Sequence, residues 1–164
     1  MDHGHNATWI DAAPHDVYRY LADFRLHPRW RPQLAVKPAP AGPAAVGDTY
    51  QTQGRHPERH RKNLETVTRL EPDEIVAFDG VDQILGMFHH AFYLEPSGGG
   101  TRVVRTAAAD FRWRVLRLLR PVVYRTLVPH MLGRDLQALK TVVETDISDN
   151  LNASGTPRGP SNAP

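Results

Sequence analysis

The spacing of hydrophobic and polar positions changes period several times along the chain. Between Asn6 and Asp11 (NATWID) polar and apolar residues alternate weakly, which predicts a short strand. From Pro14 the period becomes helical: Val17, Tyr20, Leu21 and Phe24 share one face, and Pro14 occupies a first turn that tolerates a missing N–H. Pro28 and Pro32 permit at most a short second helix around Trp30, and KPAPAGPAAVG (37–47) reads as a loop. Five strand-like runs follow: DTYQTQGR, NLETVTRL, EIVAFDGV, MFHHAFYLE and TRVVRTAAADFRW. Turn signals at Pro57, EPDE, DQILG and EPSGGG separate them, so an antiparallel meander is predicted. From about Trp113 to Asp146 the helical period returns, with Leu132, Leu136, Leu139 and Val143 as a stripe. Pro121, Pro129 and Gly133 predict a kink or break in its first half.

These elements predict one α+β domain over residues 1–148, followed by a tail over 149–164 with too little apolar content to fold. The domain order is a strand, two short helices, a long curved antiparallel sheet and a long C-terminal helix. A curved sheet needs its concave face covered, and that helix is the element left to cover it. A single helix against a wide sheet leaves space, so an internal cavity is expected between them. Composition changes this picture little: of 164 residues, 40% are hydrophobic and 23% charged, as in an ordinary folded domain.

Charge and cysteine usage exclude several function classes. Net charge is +2, and the basic run GRHPERHRK (54–62) lacks stacking aromatics, so it reads as a solvated hairpin tip and no nucleic-acid partner is expected. The chain has no cysteine, hence no disulfide, thiolate nucleophile or zinc–thiolate site. His56 and His60 are four apart, but Pro57 spoils helical ligation; Met1, Asp2 and His3 could chelate copper, but a frayed terminus is the simpler reading. No metal and no cofactor are expected. No stretch approaches the roughly 18 apolar residues of a membrane span, and no apolar core of a signal peptide opens the chain, so a cytoplasmic location is expected.

The run IDAAPHDVYRYLADFRLHPRWRP, then AAVGDTYQ, ETVTRLEP, LEPSGGGTRVV and DLQALKTVVE, resembles in order and spacing the SRPBCC superfamily. This group holds StAR-related lipid-transfer proteins, polyketide cyclase/dehydratase-like proteins and allergens of the birch-pollen type. The resemblance covers about Ala7 to Glu144. It implies a helix-grip fold and an apolar or aromatic ligand (lipid, polyketide or isoprenoid-like) between the sheet and the last helix. Carriage of that ligand and its chemical conversion, by a cyclase, aromatase or dehydratase, both fit the family. One departure stands out: the start of the last helix carries Arg112, Arg114, Arg117, Arg120 and Arg125. Opposite Arg114, Arg117 and Arg125, with Arg120 near the edge, lie Val115, Leu116, Leu118, Leu119, Val122 and Val123, a face that would cover the sheet or touch an anionic membrane surface weakly.

The hairpin motif implies that Leu94 and Val103 face inward. Alternation then sends Phe88, His90 and Phe92 in from one strand, and Arg105, Ala107, Ala109 and Phe111 in from the next. Arg105 stands out, because a guanidinium beside an apolar cavity needs a partner. Glu65, inward if Val67 is, could supply one; a polar ligand end or a slipped register are the alternatives. His89 and His90 fall on opposite faces and cannot act as a pair; His90 is a lining residue or an acid–base group. Tyr50 and Tyr124 could offer hydroxyls to the ligand or to the core. Trp30, between arginines and prolines, is expected to close the cavity mouth with its indole N–H reaching water or a carbonyl; plain packing is the rival reading. No residue set demands catalysis, and the oligomeric state is left open.

Overall fold

The computed structural model describes residues 4–32, 34–37, 42–54, 62–82, 86–112 and 114–154. The expectations placed on residues 1–3, on the basic run up to residue 61 and on 155–164 lie outside them. In chain order the elements are β1 (Gly4–Ile10), α1 (Pro14–Ala22), α2 (His27–Trp30), β2 (Leu34–Lys37), β3 (Thr49–Gly54), β4 (Lys62–Glu71), β5 (Ile75–Asp82), β6 (Gly86–Ser97), β7 (Gly100–Phe111) and α3 (Arg114–Ser154). All seven strands form one sheet in the order β1-β7-β6-β5-β4-β3-β2, with every neighbouring pair antiparallel. The meander is therefore present, and α1 and α2 carry the chain from one edge of the sheet to the other.

Three features differ from the pattern-based reading. Strand β2 was not expected: it is a four-residue edge strand, LAVK, too short between proline-rich flanks to show a period. A register shift between Val67 and Arg69 bends β4, adding to the curvature of the sheet. Helix α3 runs through Pro121 and Pro129 to Ser154 without the break that was one of the two outcomes expected there. The region around Pro129 is also where β1 docks. Asn6 Nδ2 donates to the Pro129 carbonyl at 2.9 Å, and a Cβ on Gly133 would lie 2.8 Å from that same Asn6 nitrogen. Across the contact, a Cβ on Gly4 would meet Val128 Cγ1 at 2.5 Å, so both glycines permit the close approach of strand and helix.

The core lies between the concave face of the sheet, α1, α2 and the second half of α3. The stripe Leu132, Leu136, Leu139 and Val143 is buried as its spacing predicts. Against it pack Ile10, Val17, Leu21, Phe24, Trp30, Val76, Phe78, Phe92, Leu94 and Val103, all essentially without solvent contact.

Candidate ligand cavity

Register sets which side chains stand side by side on the concave face. Glu65, Gly80, Phe88 and Ala109 form one row across β4 to β7; Val67, Phe78, His90 and Ala107 form the next. A further row carries Val76, Phe92 and Arg105. Beyond Arg105 the face is filled by large apolar side chains. Before it, Gly80 contributes no side chain, Ala107 and Ala109 contribute a methyl each, and a space opens under the Tyr124–Asp135 stretch of α3. That space is a cavity of about 280 Å³, just below the roughly 300–1,000 Å³ common for small-molecule sites. Its walls are mainly apolar, from Phe88, Ala107, Phe111, Tyr124, Val128 and Leu132. Met131 is exposed and Phe111 and Asn63 are half-buried, so this end of the cavity reaches solvent.

The inner end is polar. Arg105, 2% exposed, donates from Nη1 to Asp135 Oδ2 at 2.7 Å, and its guanidinium carbon sits 5.1 Å from the Phe92 ring centre. Burial, and then the neighbouring Arg31, pull its pKa down to about 10, so it stays charged at neutral pH. Arg31, which caps α2, brings Nε to 3.5 Å from the same Asp135 oxygen. Glu65 accepts from Thr52 Oγ1 at 3.2 Å through Oε1; burial pushes its carboxyl up, against the pull of Arg31, the Thr52 bond and Arg105. His90 stacks parallel to Phe88, and burial, reinforced by Arg105 and Arg31, keeps its imidazole neutral. Five buried polar atoms here have no hydrogen-bond partner: Arg31 Nε and Nη1, Arg105 Nε, His90 Nδ1 and Glu65 Oε2. Such groups normally find partners, because desolvation without one costs about 1–3 kcal/mol each. Their concentration on one cavity wall singles out this place.

Six of the nine residues expected to line a ligand site do line this cavity: Glu65, Phe88, His90, Arg105, Ala107 and Tyr124. The strand phase expected for β6 and β7 holds, and His89 faces the other side of the sheet, where it pairs with Asp79 at 2.8 Å and Asp110 at 3.5 Å. Trp30, Tyr50 and Phe92 are elsewhere. Trp30 does not close a mouth: it is 1% exposed, packed at 4.9 Å from the His27 ring and 6.1 Å from Phe92, and its Nε1 has no partner. Tyr50 stacks on Phe24 at 4.7 Å and donates to Asp48 at 3.0 Å. Phe92 lies beneath the Arg105 guanidinium, in the filled core. The ion pair expected between Arg105 and Glu65 is replaced by Arg105–Asp135.

Sequence reasoning missed Arg31 and Asp135. Asp135 precedes Leu136 and follows Leu132 by three, so its helical position beside the buried stripe was a usable signal. Arg31 gave none, since its inward turn depends on where α2 ends. In the arginine-rich start of α3, Leu119 and Val122 are exposed rather than set against the sheet, and Arg125 is exposed. The side chains of Arg114, Val115, Leu116, Arg117, Leu118, Arg120 and Val123 lie outside the described residues. Among the described residues no helix is long and apolar enough to cross a membrane, and no three His, Asp or Glu side chains converge as metal ligands.

A second, wider depression of about 600 Å³ lies outside the grip, between Trp9, Lys140, Glu144 and Leu151. Lys140 already spans it, donating to the Trp9 carbonyl at 2.7 Å and pairing with Glu144 at 2.9 Å. It offers no buried, unpartnered polar group, unlike the internal cavity.

Comparison with known proteins agrees with this architecture. The profile of the family described as polyketide cyclase/dehydrase and lipid transport matches residues 5–144. No curated protein sequence matches the chain. Among solved structures, TTHA0849 from Thermus thermophilus is 19% identical, with a TM-score of 0.69 over 88% of this chain and 99% of that one. Ara h 8.0201 is 11% identical, with a TM-score of 0.65 over 88% of this chain and 98% of its own. DynU16, a protein of the dynemicin biosynthetic locus, is 16% identical, with a TM-score of 0.55 over 86% of this chain and 48% of its own. At these identities the likeness is one of fold, and the fold is the helix-grip. By its matched sequence and its architecture, the chain belongs to the polyketide cyclase/dehydrase and lipid-transport family of the SRPBCC superfamily.

Proposed function

We propose that the protein binds a small amphipathic molecule, apolar or aromatic in its body, inside the cavity between the sheet and α3, and acts as its carrier or binding protein. The observation that carries this reading is the cavity's division into an apolar wall and a buried polar end whose atoms lack partners. A purely apolar void would need no such atoms, and a structural ion-pair cluster would leave fewer of them unspent. Lipid, polyketide and isoprenoid-like molecules of modest size have the required shape. Native mass spectrometry of the purified protein tests the proposal: a copurified small molecule, lost in a variant with a filled cavity, is the expected result. A mass equal to the bare chain, with no apolar ligand taken up on addition, would contradict it.

One observation favours a second reading, a cyclase- or dehydratase-like activity. Glu65, whose carboxyl burial holds towards the protonated form, and His90, whose imidazole is held neutral, face the same cavity. A proton donor and a proton acceptor in one dry site are what enolisation or loss of water requires. Turnover of a bound polyketide-like chain that disappears in Glu65→Gln and His90→Gln would establish it.

A further inference from the structure

We infer, on the footing that the cavity is a ligand site, that its ligand ends in a carboxylate held between Arg31 and Arg105. The argument is a count of donors and acceptors. Two guanidiniums face the inner end, and they share one oxygen, Asp135 Oδ2, at 2.7 Å from Arg105 Nη1 and 3.5 Å from Arg31 Nε. No other described carboxylate pairs with either of them. Glu65 on β4 spends Oε1 on Thr52, and its Oε2 bonds to nothing. Asp82 on β5 also lines the cavity, but the register sets it level with Phe111. Phe111 is six residues from Arg105 along β7, about 20 Å at strand rise. His90 on β6 and His27 on α2 are both held neutral by burial, so they add no charge.

At this end the two guanidiniums have one directly paired anion between them, Asp135, while Glu65 attracts both and bonds to neither, and three N–H groups (Arg31 Nε, Arg31 Nη1 and Arg105 Nε) have no acceptor. Buried N–H donors without acceptors are costly, the more so on a charged group, unless a partner arrives. A carboxylate supplies two acceptor oxygens in the planar geometry a guanidinium prefers, and its charge strengthens both bonds. A neutral hydroxyl or carbonyl supplies a weaker, single acceptor. The apolar body of such an acid would lie along Phe88, Ala107 and Leu132, towards the solvent-reaching end.

Two probes of matched shape separate this inference from the binding proposal itself: 2-naphthoate and its neutral counterpart 2-naphthalenemethanol, titrated calorimetrically at pH 7. The wild-type protein should bind the carboxylate about tenfold or more tightly than the alcohol, the step expected when a charge-assisted contact replaces a neutral one. Arg31→Met should cut that preference to about threefold or less, mainly by weakening carboxylate binding, and Asp135→Asn, which removes the competing anion, should increase it. Circular dichroism checks that both variants fold; the wild-type comparison stands even if one does not. Equal affinity for both probes in the wild type overturns the inferred carboxylate but leaves the cavity as a ligand site. Binding of neither probe overturns the ligand site and this inference together.

Discussion

The two ends of the concave face are built on the same four strands and under the same helix, yet one is filled and the other hollow. At the filled end, register-matched positions hold Val76, Phe92, Leu94 and Val103, and α3 lays Leu136, Leu139 and Val143 upon them. At the hollow end the corresponding positions hold Gly80, Ala107 and Ala109 beneath Tyr124, Val128 and Leu132. Side-chain volume at a few register positions, not a difference in architecture, decides where the space lies. Between the two ends runs the polar layer of Arg31, Arg105 and Asp135, resting on Phe92. Packing is concentrated on one side of that layer, and the proposed binding site lies on the other.

The largest expected effect comes from the filled end. Trp30→Ala should cost about 3–5 kcal/mol in urea denaturation, the usual range for truncating a buried aromatic, because the indole is sealed among His27, Phe92 and neighbouring core residues. Probe affinity in the variant should stay within a few-fold of wild type. A stable Trp30→Ala protein with altered ligand release would instead make the indole part of the cavity mouth and dissolve the contrast between the ends.

A smaller, pH-dependent effect sharpens the contrast. Each end buries one neutral histidine: His27, whose Nε2 donates to the Leu21 carbonyl at 2.9 Å, and His90 beside the cavity. Burial lowers the His27 pKa to about 3 and that of His90 well below 6.5. Both imidazoles take up protons on unfolding, so their contribution is intact above about pH 6.5. It is lost as the pH falls towards the folded values, by about 1.4 kcal/mol per pH unit for each histidine. Glu65 works the other way: its carboxyl is raised in the fold, so acidification towards its unfolded pKa favours folding. Urea melts at pH 7 and pH 5 should therefore show a net loss at pH 5, and His27→Gln should reduce that loss by about 2 kcal/mol. An unchanged pH dependence in His27→Gln would mean that the buried ring is charged in the fold.

Most of the hollow end could be read from the chain before any coordinates. Period-2 alternation placed Phe88, His90, Arg105 and Ala107 inward, because a strand that buries Leu94 and Val103 has no freedom of phase. The filled end of α3 was equally legible from the spacing of Leu132, Leu136, Leu139 and Val143. What was not legible depends on contacts distant in sequence. Arg105 pairs with Asp135, thirty residues on, rather than with Glu65 two strands away from its neighbour β6; only the placement of α3 decides between them. Trp30 carried an ambiguous signal, since arginines and prolines in sequence suggest a surface, while the short turn of α2 drives the ring inward. The prolines of α3 signalled a kink or break, and the helix runs through both without a break.

The smallest expected effect on stability belongs to the most direct test. Ala109→Leu adds a branched side chain to the row of Gly80 and Phe88, where the space already exists. Overpacking a filled core costs about 1–3 kcal/mol; here the change should stay within about 1 kcal/mol, because the added atoms meet a void. The measurement is the affinity of the variant for 2-naphthoate and 2-naphthalenemethanol, set beside its urea midpoint. The account predicts near-wild-type stability with binding of both probes lost. Wild-type affinity in a folded Ala109→Leu protein would place the ligand outside this cavity and contradict the division of the molecule into a stabilising end and a binding end.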